Sequence, residues 1–515
     1  MLARVAGELH LAVRENIRSL NPYAVENDSE AFVVSLLYDT LLELGLQGDL
    51  ASNLAQRWEV AGDGISLSFW LNGQARWHDG QPLTAGDVVF SFTLARQHQL
   101  PGLAHIVAGV DRVEAVNPGE VKFTLLSPRA DALRLLGTQL PIVPAARWRE
   151  VEEPASYPNL EAPVGSGPFL FVKLVEEEQL VLRNAASHHA FAPSVDSVVV
   201  EILRNEDQAL EALREGQLDA LGWDANAAAV RRVQQDPEAY PGVRWLEAPG
   251  ERTQVLLFNV RRAPYGDPAL RRALALAIDT YTIVQEVASG FGDAAMGGLF
   301  PPSSPWRSAG LEPLPFAALQ AVKELDAAGF ADRDGDGFRE LPDGGALTVG
   351  VTCSDLAETQ GIAERVAANW QSVGVSAQVL PIAQDMMVPA LISATFEVAL
   401  TEVSLAEPAM AYFYLHSSRG VLNDRGVSGL NYGGYANAEF DELVRLAQKE
   451  LDENQRQVLL DRLQEILATD LPLIPLYHPS VLCLYRDDHF TGWRATPGDG
   501  ILSRAVIAGL TAIEE

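Results

Sequence analysis

An acidic segment in the second half of the chain has the composition and spacing of a calcium loop. Asp332, Asp334 and Asp336 alternate, and Asp343 stands at the twelfth position counted from Asp332. Calcium takes oxygen ligands, and a loop of this type supplies them from alternate positions and from one backbone carbonyl. The pattern predicts a structural calcium ion, and the alternative is a polar turn between a helix and a strand. The candidate ligands are Asp332, Asp334, Asp336, Phe338 through its carbonyl, Glu340 through a water, and Asp343.

Three predicted strands end in, or are followed by, side chains of the kind that line ligand sites. The strands are ALTVGVTC (346–353), FEVALTEV (396–403) and LDALG (218–222). In open α/β sheets ligands bind beyond the carboxyl ends of strands, where aromatic walls combine with a few convergent polar groups. For each residue alone, core packing or a solvated loop is the alternative. The candidate ligand-binding residues are Trp223, Asp224, Ser354, Asp355, Glu402, Ser404, Tyr412, Tyr414, Asn431 and Tyr432.

The chain lacks the short motifs of common hydrolases and nucleotide-binding enzymes. It contains no His-Glu-x-x-His zinc motif, no Gly-x-Ser-x-Gly elbow and no Gly-Lys-Ser/Thr phosphate loop. His188-His189 is a dipeptide without a spaced third ligand, and we interpret it as a solvated turn. We therefore expect a protein that is not an enzyme and requires no cofactor. The alternative is a hydrolase that uses paired carboxylates, such as Asp355 with Glu402.

Charge and composition exclude whole classes of partner. The 515 residues carry a net charge of -31 at pH 7, and 48% of them are hydrophobic. A surface of this charge repels a phosphate backbone and an anionic membrane face, so we expect no nucleic acid partner. No apolar run approaches the roughly 18 residues of a transmembrane helix. The chain is therefore expected to form two to four globular folding units, at roughly 100–200 residues each.

The N-terminus and the cysteines bear on the cellular compartment. Residues 1–16 contain no continuous apolar stretch, so they do not form a signal peptide as written. We expect either a cytoplasmic protein or a chain whose leader has been removed. Cys353 and Cys483 both lie in apolar, strand-like runs. This position favours two buried small hydrophobic residues, and a disulfide bond in an oxidising compartment stays open.

The elements that position these residues alternate between strands and helices. Val121, Phe123 and Leu125 follow the period of two that marks a half-buried strand. The segment 356–373 keeps helical spacing of apolar residues, and Gly374 is placed to end that helix. A second amphipathic helix is predicted over 453–469. Strands that alternate with helices indicate crossover connections in an α/β fold.

Nine segments, taken in chain order, resemble the family 5 solute-binding proteins, whose members bind peptides, nickel or oligosaccharides. The segment with the WHDG turn is the most specific, and each of the others alone is a weak signal. The segments are YDTLLEL (38–44), LASNLAQRWEV (50–60), ARWHDGQPLTAGDVVFSF (75–92), PVGSGPF (163–169), GQLDAL (216–221), LLFNVRRAPYGDPALRRALALAID (256–279), DRDGDGFREL (332–341), GGYANAEFDELV (433–444) and LPLIPLYHP (471–479).

The resemblance implies an α/β, two-lobed periplasmic-binding-protein-like fold of cluster C type. Lobe I would comprise residues 1–45, 164–258 and 478–515, with an extra inserted subdomain at 46–163, and lobe II would comprise 259–477. It also implies a monomer outside the cytoplasm, periplasmic or lipid-anchored, that captures a small molecule by hinge closure. The solute would pass to the transmembrane subunits of an ABC permease. A ligand-sensing receptor subunit with the same fold is the alternative.

The chain departs from the family's peptide binders in one informative segment. Those proteins carry a Trp-x-x-Asp-Tyr-x-Asp-Pro-like run whose first Asp pairs with the terminal amine of the peptide. Here Thr401 stands at the Trp position and Ser404 at the Asp position. Because Ser cannot neutralise an ammonium, binding of a free peptide amine requires that Glu402 or Glu407 substitutes. A neutral oligosaccharide suits a lining of Ser, Asn and aromatic residues better.

Overall fold

The computed structural model describes residues 7–46, 48–186, 188–190, 193–295, 298–311, 314–404 and 414–513. The chain divides into two compact units. Unit 1 comprises Met1–Ala248 and Val481–Glu515, and unit 2 comprises Pro249–Ser480. Each unit has its own main sheet and its own hydrophobic core.

Strands are numbered in chain order over the described residues. Their bounds are β1 (Glu8–Val13), β2 (Leu42–Leu44), β3 (Leu50–Ser52), β4 (Ala55–Val60), β5 (Ser66–Leu71), β6 (Val110–Asn117), β7 (Glu120–Leu125), β8 (Phe169–Val175), β9 (Gln179–Asn184), β10 (Ser197–Ile202), β11 (Ala220–Leu221), β12 (Val243–Pro249), β13 (Arg252–Phe258), β14 (Asp293–Ala294), β15 (Thr348–Ser354), β16 (Ser376–Ile382), β17 (Val398–Ser404), β18 (Leu422–Asn423), β19 (Gly426–Val427), β20 (Leu473–His478), β21 (Ser480–Arg486), β22 (Phe490–Thr491) and β23 (Thr511–Ala512).

Helices are numbered in the same way. Their bounds are α1 (Asp28–Leu37), α2 (Ala85–Gln97), α3 (Ala104–Val107), α4 (Ala132–Thr138), α5 (Ala145–Trp148), α6 (Glu206–Arg214), α7 (Ala227–Gln235), α8 (Pro268–Leu276), α9 (Thr280–Glu286), α10 (Ala318–Ala327), α11 (Ala357–Ser372), α12 (Met387–Ile392), α13 (Ala438–Lys449), α14 (Glu453–Asp470) and α15 (Arg504–Gly509). Short 3-10 turns lie at Pro101–Leu103, Gln384–Met386 and Ser417–Arg419.

The main sheet of unit 1 has the strand order β12-β21-β11-β1-β10-β9-β8. Strand β1 runs parallel to both β10 and β11, so the carboxyl ends of these three strands meet at one edge. Leu9, Leu11 and Val13 of β1 are buried in the core of the unit. Asn205 begins α6 by accepting a hydrogen bond from the Gln208 backbone N–H at 3.0 Å.

A second sheet of unit 1, β4-β5-β7-β6, lies within the region predicted as an inserted subdomain. The alternation predicted for β7 is confirmed, because every second residue of this strand is buried, and β5 has the same pattern. Phe123 packs edge-on against Phe69 at a centroid distance of 5.8 Å and against Phe92 at 5.6 Å. The Thr84–Asp87 capping box begins the helix that supplies Phe92.

The WHDG turn and the GSGPF turn are joined through one histidine. His78 donates its backbone N–H to the Gly165 carbonyl at 2.8 Å, and its Nδ1 accepts from the Gly165 N–H at 3.2 Å. Its Nε2 lies 3.0 Å from the Gly167 carbonyl. A Cβ at Gly165 would lie only 1.8 Å from the carbonyl oxygen of Leu37. The two motifs therefore serve the architecture of unit 1.

The sheet of unit 2 has the order β14-β20-β13-β17-β15-β16. Strand β15 is parallel to β16 and β17, and β13 is antiparallel to β17 and β20. The helix predicted over 356–373 is confirmed as α11, which buries Ile362, Val366 and Trp370 against this sheet. The helix predicted over 453–469 is confirmed as α14, and Leu471 in the left-handed region (φ 44) ends it.

The unit boundaries lie near the predicted lobe boundaries without coinciding with them. The chain passes from unit 1 to unit 2 after Ala248 and returns after Ser480, whereas the sequence placed these crossings after 258 and after 477. The first difference arises because β13 forms its ladders with β17 and β20, inside the sheet of unit 2. A separate subdomain at 46–163 stays a prediction.

The two cysteines and the lengths of the helices bear on the cellular compartment. Cys353 is buried in the core of unit 2 and Cys483 in the core of unit 1, and both are free thiols. The interpretation as buried small hydrophobic residues is therefore confirmed, and the alternative of a disulfide bond is not. None of the helices in the described ranges is both long and apolar enough to cross a membrane.

Candidate ligand-binding edge of unit 2

Several polar residues of unit 2 lie at the edge of its sheet where three strands end. Strands β15, β17 and β20 finish at the same edge of the sheet, where the antiparallel β13 begins. We name this edge the carboxyl edge and define it by Arg252, Gln254, Ser354, Asp355, Glu358, Glu402, Ser404 and Tyr477. It has the position that open α/β sheets use for ligands.

Glu402 lies at the centre of the carboxyl edge. Its Oε1 accepts a hydrogen bond from Gln254 Nε2 at 2.6 Å, and its Oε2 lies 3.4 Å from Arg252 Nη1. The ladder sets both contacts, because Gln254 stands opposite Glu402 and Arg252 stands opposite Ser404. The side chain of Glu402 is 40% exposed, so its carboxylate remains accessible to a ligand while two neighbours orient it.

Gln254 brings an unused acceptor to the carboxyl edge. The residue is only 6% exposed, and its Oε1 has no hydrogen-bond partner within the described ranges. A buried amide oxygen without a partner costs free energy, on the order of 1–3 kcal/mol. A ligand donor that reaches this oxygen would recover that free energy.

Tyr477 links the carboxyl edge to the beginning of helix α11. It stands opposite Gln254 in the β13–β20 ladder and is fully buried. Its hydroxyl donates to Glu358 Oε1, in the first turn of α11, at 2.9 Å. Together with Asp355, this edge therefore holds three carboxylates and one guanidinium, and the excess negative charge favours a cationic ligand group.

The remaining predicted residues of this edge differ in their availability. Ser354 is buried, and its hydroxyl lies 2.6 Å from that of Thr359. Asp355 is exposed, and Ser404 is half-buried. In the described part of the chain the partners of Glu402 are Gln254 and Arg252, and neither a hydrogen bond nor an ion pair joins it to Asp355.

Asn431 has a structural role in its own loop. Its Nδ2 donates to the carbonyls of Leu415, His416 and Tyr435 at 3.2, 3.1 and 2.8 Å. Its Oδ1 accepts from the backbone N–H of Gly434 at 3.1 Å and of Tyr435 at 3.0 Å. The side chain is 1% exposed, and its hydrogen-bonding capacity is used within the loop.

Of the three tyrosines predicted to line the ligand site, the structure describes Tyr414 and Tyr432. Tyr414 and Tyr432 are half-buried and pack against the smaller core of unit 2, and burial together with the nearby Tyr414 raises the pKa of Tyr432. Tyr412 lies outside the described residues, as does Glu407. Two of the three tyrosines therefore pack against the same core of unit 2.

The predicted residues of unit 1 lie at the edge where β1, β10 and β11 end. The guanidinium of Arg14 lies 4.7 Å from the ring centroid of Trp223 and pairs with Glu206 at 2.7 Å. The indole Nε1 of Trp223 is buried without a hydrogen-bond partner among the described residues. Asp224 is exposed, and its Oδ1 accepts from the Leu482 N–H at 2.7 Å, which anchors β21.

Sequence reasoning missed several residues that form the carboxyl edge: Arg252, Gln254, Glu358 and Tyr477. Arg252 and Gln254 alternate in ERTQVLLF, at the amino end of an apolar strand. That alternation is the signal in the sequence for a polar strand end. The amino end of an antiparallel strand lies at the same edge as the carboxyl ends of its neighbours, so residues at carboxyl ends alone do not define the edge.

The acidic loop assembles only part of its predicted calcium ligands. Side-chain oxygens of Asp332, Asp334 and Glu340 lie within 4.8 Å of one another, and the group does not include Asp336 or Asp343. Both oxygens of Asp332 also accept backbone N–H groups, at 2.7 and 3.1 Å. Calcium at this loop stays a prediction.

The other predicted ligands of that loop stabilise turns. Asp336 accepts the Phe338 backbone N–H at 2.7 Å, and Asp343 lies 3.3 Å from the Gly345 N–H. Aspartates in tight loops commonly satisfy backbone donors in this way. The polar-turn alternative therefore accounts for these two side chains without an ion.

The interpretation of His188-His189 as a solvated turn is wrong. The side chains are 0% and 1% exposed, and both rings face the fully buried carboxylate of Asp39. Burial, as the largest cause, lowers the pKa of His189 to about 4. Local sequence does not reveal this contact, because Asp39 is 149 residues away from His188 along the chain.

Comparisons with known proteins agree with this fold. The family described as bacterial extracellular solute-binding proteins, family 5 Middle, matches residues 49–421. The dipeptide-binding protein of Escherichia coli K12 is 24% identical over 86% of this chain and 84% of its own length. Heme-binding protein A of Haemophilus influenzae is 24% identical over 84% of this chain and 79% of its own. The fold is similar to NikA from Brucella suis in complex with Fe(III)-EDTA, with TM-score 0.85, 21% identity and coverage of 98% and 100% of the two chains.

Proposed function

The chain belongs to the family 5 bacterial extracellular solute-binding proteins, and on that basis we propose that it captures a short peptide or a related solute with a free amino group. It is a substrate-binding protein of an ABC importer and not an enzyme. In this proposal the solute is delivered to a membrane permease. The residues at the carboxyl edge of unit 2 support a solute that carries an amino group.

The position of Glu402 is the single observation that carries the proposal. The peptide binders that the chain resembles place an acid where this chain has Ser404. Side chains alternate across a strand, so Glu402, two residues earlier on β17, points to the same face as Ser404. Its carboxylate supports the proposed pairing with the ammonium group of a peptide.

Gln254 adds a second contact of the right polarity. An ammonium group carries three donors and no acceptor. The carboxylate of Glu402 and the unpartnered Oε1 of Gln254 are both acceptors, and they stand opposite each other on neighbouring strands. This pair suits a primary amine better than a hydroxyl group. The oxygen of a hydroxyl group also accepts hydrogen bonds, and neither member of the pair offers it a donor.

The oligosaccharide suggested by the sequence is less well supported than a peptide. That expectation depended on a lining of Ser, Asn and aromatic residues, with Asn431 as its amide. The side chain of Asn431 is committed to five hydrogen bonds in its own loop and is 1% exposed. Curated relatives include several described as dipeptide- or di/tripeptide-binding proteins.

Capture by closure of the two units, with the protein acting as a monomer, is part of the proposal. Its support is the family resemblance. A ligand that binds the closed form better shifts the population toward closure, and moving from 1:99 to 99:1 needs about 5.5 kcal/mol. Small-angle scattering with and without ligand checks this, since closure reduces the radius of gyration. A receptor subunit for signalling would show the same closure and would differ in its membrane partner.

We place the protein outside the cytoplasm, in the periplasm or anchored by lipid to the outer face of the membrane. The support is the family description, which is extracellular, and relatives described as periplasmic. Fractionation of the native host checks this placement. Recovery of the protein in the cytoplasmic fraction would contradict it.

Isothermal titration calorimetry tests the ligand class. Dipeptides and tripeptides with a free N-terminus are compared with their N-acetylated forms and with a neutral oligosaccharide. The proposal expects heat of binding only for ligands that carry a free amine. Equal affinity for acetylated and free peptides would reject the role of Glu402.

A further inference from the structure

Unit 1 contains a buried group of two imidazoles and one carboxylate that solute capture does not use. Asp39 follows helix α1, and His188 and His189 lie in the loop after β9. One ligand atom from each of the three side chains lies within 4.8 Å of the others. The side chains of Asp39 and His188 are 0% exposed, and that of His189 is 1% exposed.

Two atoms of this group are buried without a hydrogen-bond partner in the described part of the chain. They are Asp39 Oδ2 and His189 Nε2, and the other ring nitrogen of His189, Nδ1, lies 4.0 Å from Asp39 Oδ2. Buried polar atoms are nearly always paired, so each unpaired one needs a physical explanation. A carboxylate oxygen and an imidazole nitrogen share the ability to donate a lone pair to a cation.

The other oxygen of Asp39 is already held in place. Arg504, the first residue of α15, approaches Asp39 Oδ1 with its Nη1 at 2.5 Å. The Nε2 of His188 lies 3.4 Å from the same oxygen and 3.3 Å from Arg504 Nη2. Ligating carboxylates are commonly held by a second partner on their other oxygen, which orients them toward an ion. Arg504 has that position and leaves Oδ2 available.

We propose that Asp39, His188 and His189 form a binding site for a divalent transition-metal ion of the zinc class. Two imidazoles and a carboxylate suit zinc, cobalt and nickel, whereas calcium takes oxygen ligands only. Zinc bonds of about 2.0–2.2 Å require ligand atoms roughly 3.3 Å apart in a tetrahedral site. Small rotations of the imidazoles would close the present triangle around an ion.

The charges around the site favour a cation. The carboxylates of Asp39 and Glu43 and the guanidinium of Arg504 sum to one negative charge, and Glu43 Oε2 lies 3.6 Å from Arg504 Nε. The ion would replace the contact between Arg504 and His188 while keeping the ion pair between Arg504 and Asp39. It would then join the end of α1, the loop 188–190 and the beginning of α15 within unit 1.

Metal loading of the full chain tests the site. Because the three side chains are buried, the protein is stripped with a chelator, refolded with Zn²⁺ or Co²⁺, passed through a desalting column and measured by inductively coupled plasma mass spectrometry. We expect about one retained ion per chain, and visible d–d bands for the cobalt form. Wild-type protein that retains no metal would overturn the proposal.

Variants separate this site from other metal-binding groups. His189→Gln and Asp39→Asn are expected to lose the retained ion, and His98→Gln, at an exposed histidine, is expected to keep it. The double variant Asp332→Asn/Asp334→Asn removes the acidic loop and should also retain zinc. Equal zinc content in wild type and folded His189→Gln would overturn the proposal. If the buried variants do not fold, an absence of any rise in the Tm of wild type with Zn²⁺ would overturn it as well.

Discussion

Gln254 donates a hydrogen bond to Glu402 across neighbouring strands at 2.6 Å, and the ladder register fixes this contact. The contact turns the carboxylate of Glu402 along the edge of the unit 2 sheet and leaves the Oε1 of Gln254 unused. One ladder pair therefore provides both a charge and an acceptor for a ligand amine.

Removal of the Glu402 charge should weaken binding of amine-bearing ligands. Glu402→Gln keeps the shape of the side chain and removes the partner of the ammonium. We expect about tenfold weaker binding, on the order of 1–2 kcal/mol, because the side chain is 40% exposed and water screens the pair. Calorimetry with a free dipeptide measures this.

Glu442→Gln is the matched control for that variant, since Glu442 is an exposed glutamate that also pairs with an arginine, Arg445 of α13. It should bind the dipeptide like wild type. A similar loss of affinity in both variants would indicate a general charge effect and not a role of Glu402.

Restoring the family acid should compensate for the loss. Ser404 occupies the position of the amine-binding aspartate in the peptide binders that this chain resembles, and it lies on the same face of β17 as Glu402. Ser404→Asp in the Glu402→Gln background is expected to recover most of the lost dipeptide affinity. Calorimetry of the double variant checks this, and an affinity no better than that of Glu402→Gln alone would contradict the shared site.

Acidification should destabilise the protein partly through His478. Its Nδ1 lies 2.8 Å from Thr253 Oγ1, and Thr253 donates in turn to the Leu299 carbonyl at 3.0 Å. Burial, followed by the nearby Arg307, lowers the pKa of His478 to about 4. Because the folded pKa lies below the unfolded value of about 6.5, this contribution is present above pH 6.5 and is lost as pH falls toward 4.

The loss through His478 should reach about 3 kcal/mol at pH 4. Urea unfolding between pH 7 and pH 4 measures it, with His478→Asn compared with wild type. Asn can keep a donor toward Thr253 but does not titrate, so its free energy of unfolding should decline less steeply. His98→Asn serves as the exposed control and should follow the wild-type curve. Identical slopes for His478→Asn and wild type would refute the assignment.

Substitution of Gly165 should be strongly destabilising. A Cβ there would lie 1.8 Å from the Leu37 carbonyl oxygen, which is backbone and cannot move aside cheaply. Gly165→Ala is expected to cost more than about 3 kcal/mol or to prevent folding. Gly62→Ala is the control, since a Cβ at Gly62 meets nothing within 4 Å. Thermal unfolding of both variants measures the difference, and equal Tm values would contradict the described turn.

Local signals in the sequence were sufficient for the helices predicted over 356–373 and 453–469, whose bounds the structure gives as Ala357–Ser372 and Glu453–Asp470. The cap at Asn205 and the capping box of Thr84 with Asp87 depend on residues three positions apart, and both are present. The alternation of buried residues in β5 and β7 likewise depends on neighbours along the chain. Such features need no knowledge of tertiary pairing.

The candidate site is formed by contacts between residues that are far apart in the sequence, and a single sequence does not reveal such contacts. Glu402 meets Gln254, which is 148 residues away, only because β13 and β17 pair in a particular register. Asn431 has the residue type of a ligand contact, yet its loop uses the whole side chain. Residue type at a strand end therefore located the edge but did not identify which side chains are available.

Native mass spectrometry of the protein purified from its own host tests the central claim most directly. The claim is that this chain binds a small solute through a free amino group. We predict a co-purified short peptide or other primary amine at one molecule per chain, released on unfolding and present at lower occupancy in Glu402→Gln. A co-purified neutral saccharide, or the same solute at undiminished occupancy in Glu402→Gln, would contradict the claim.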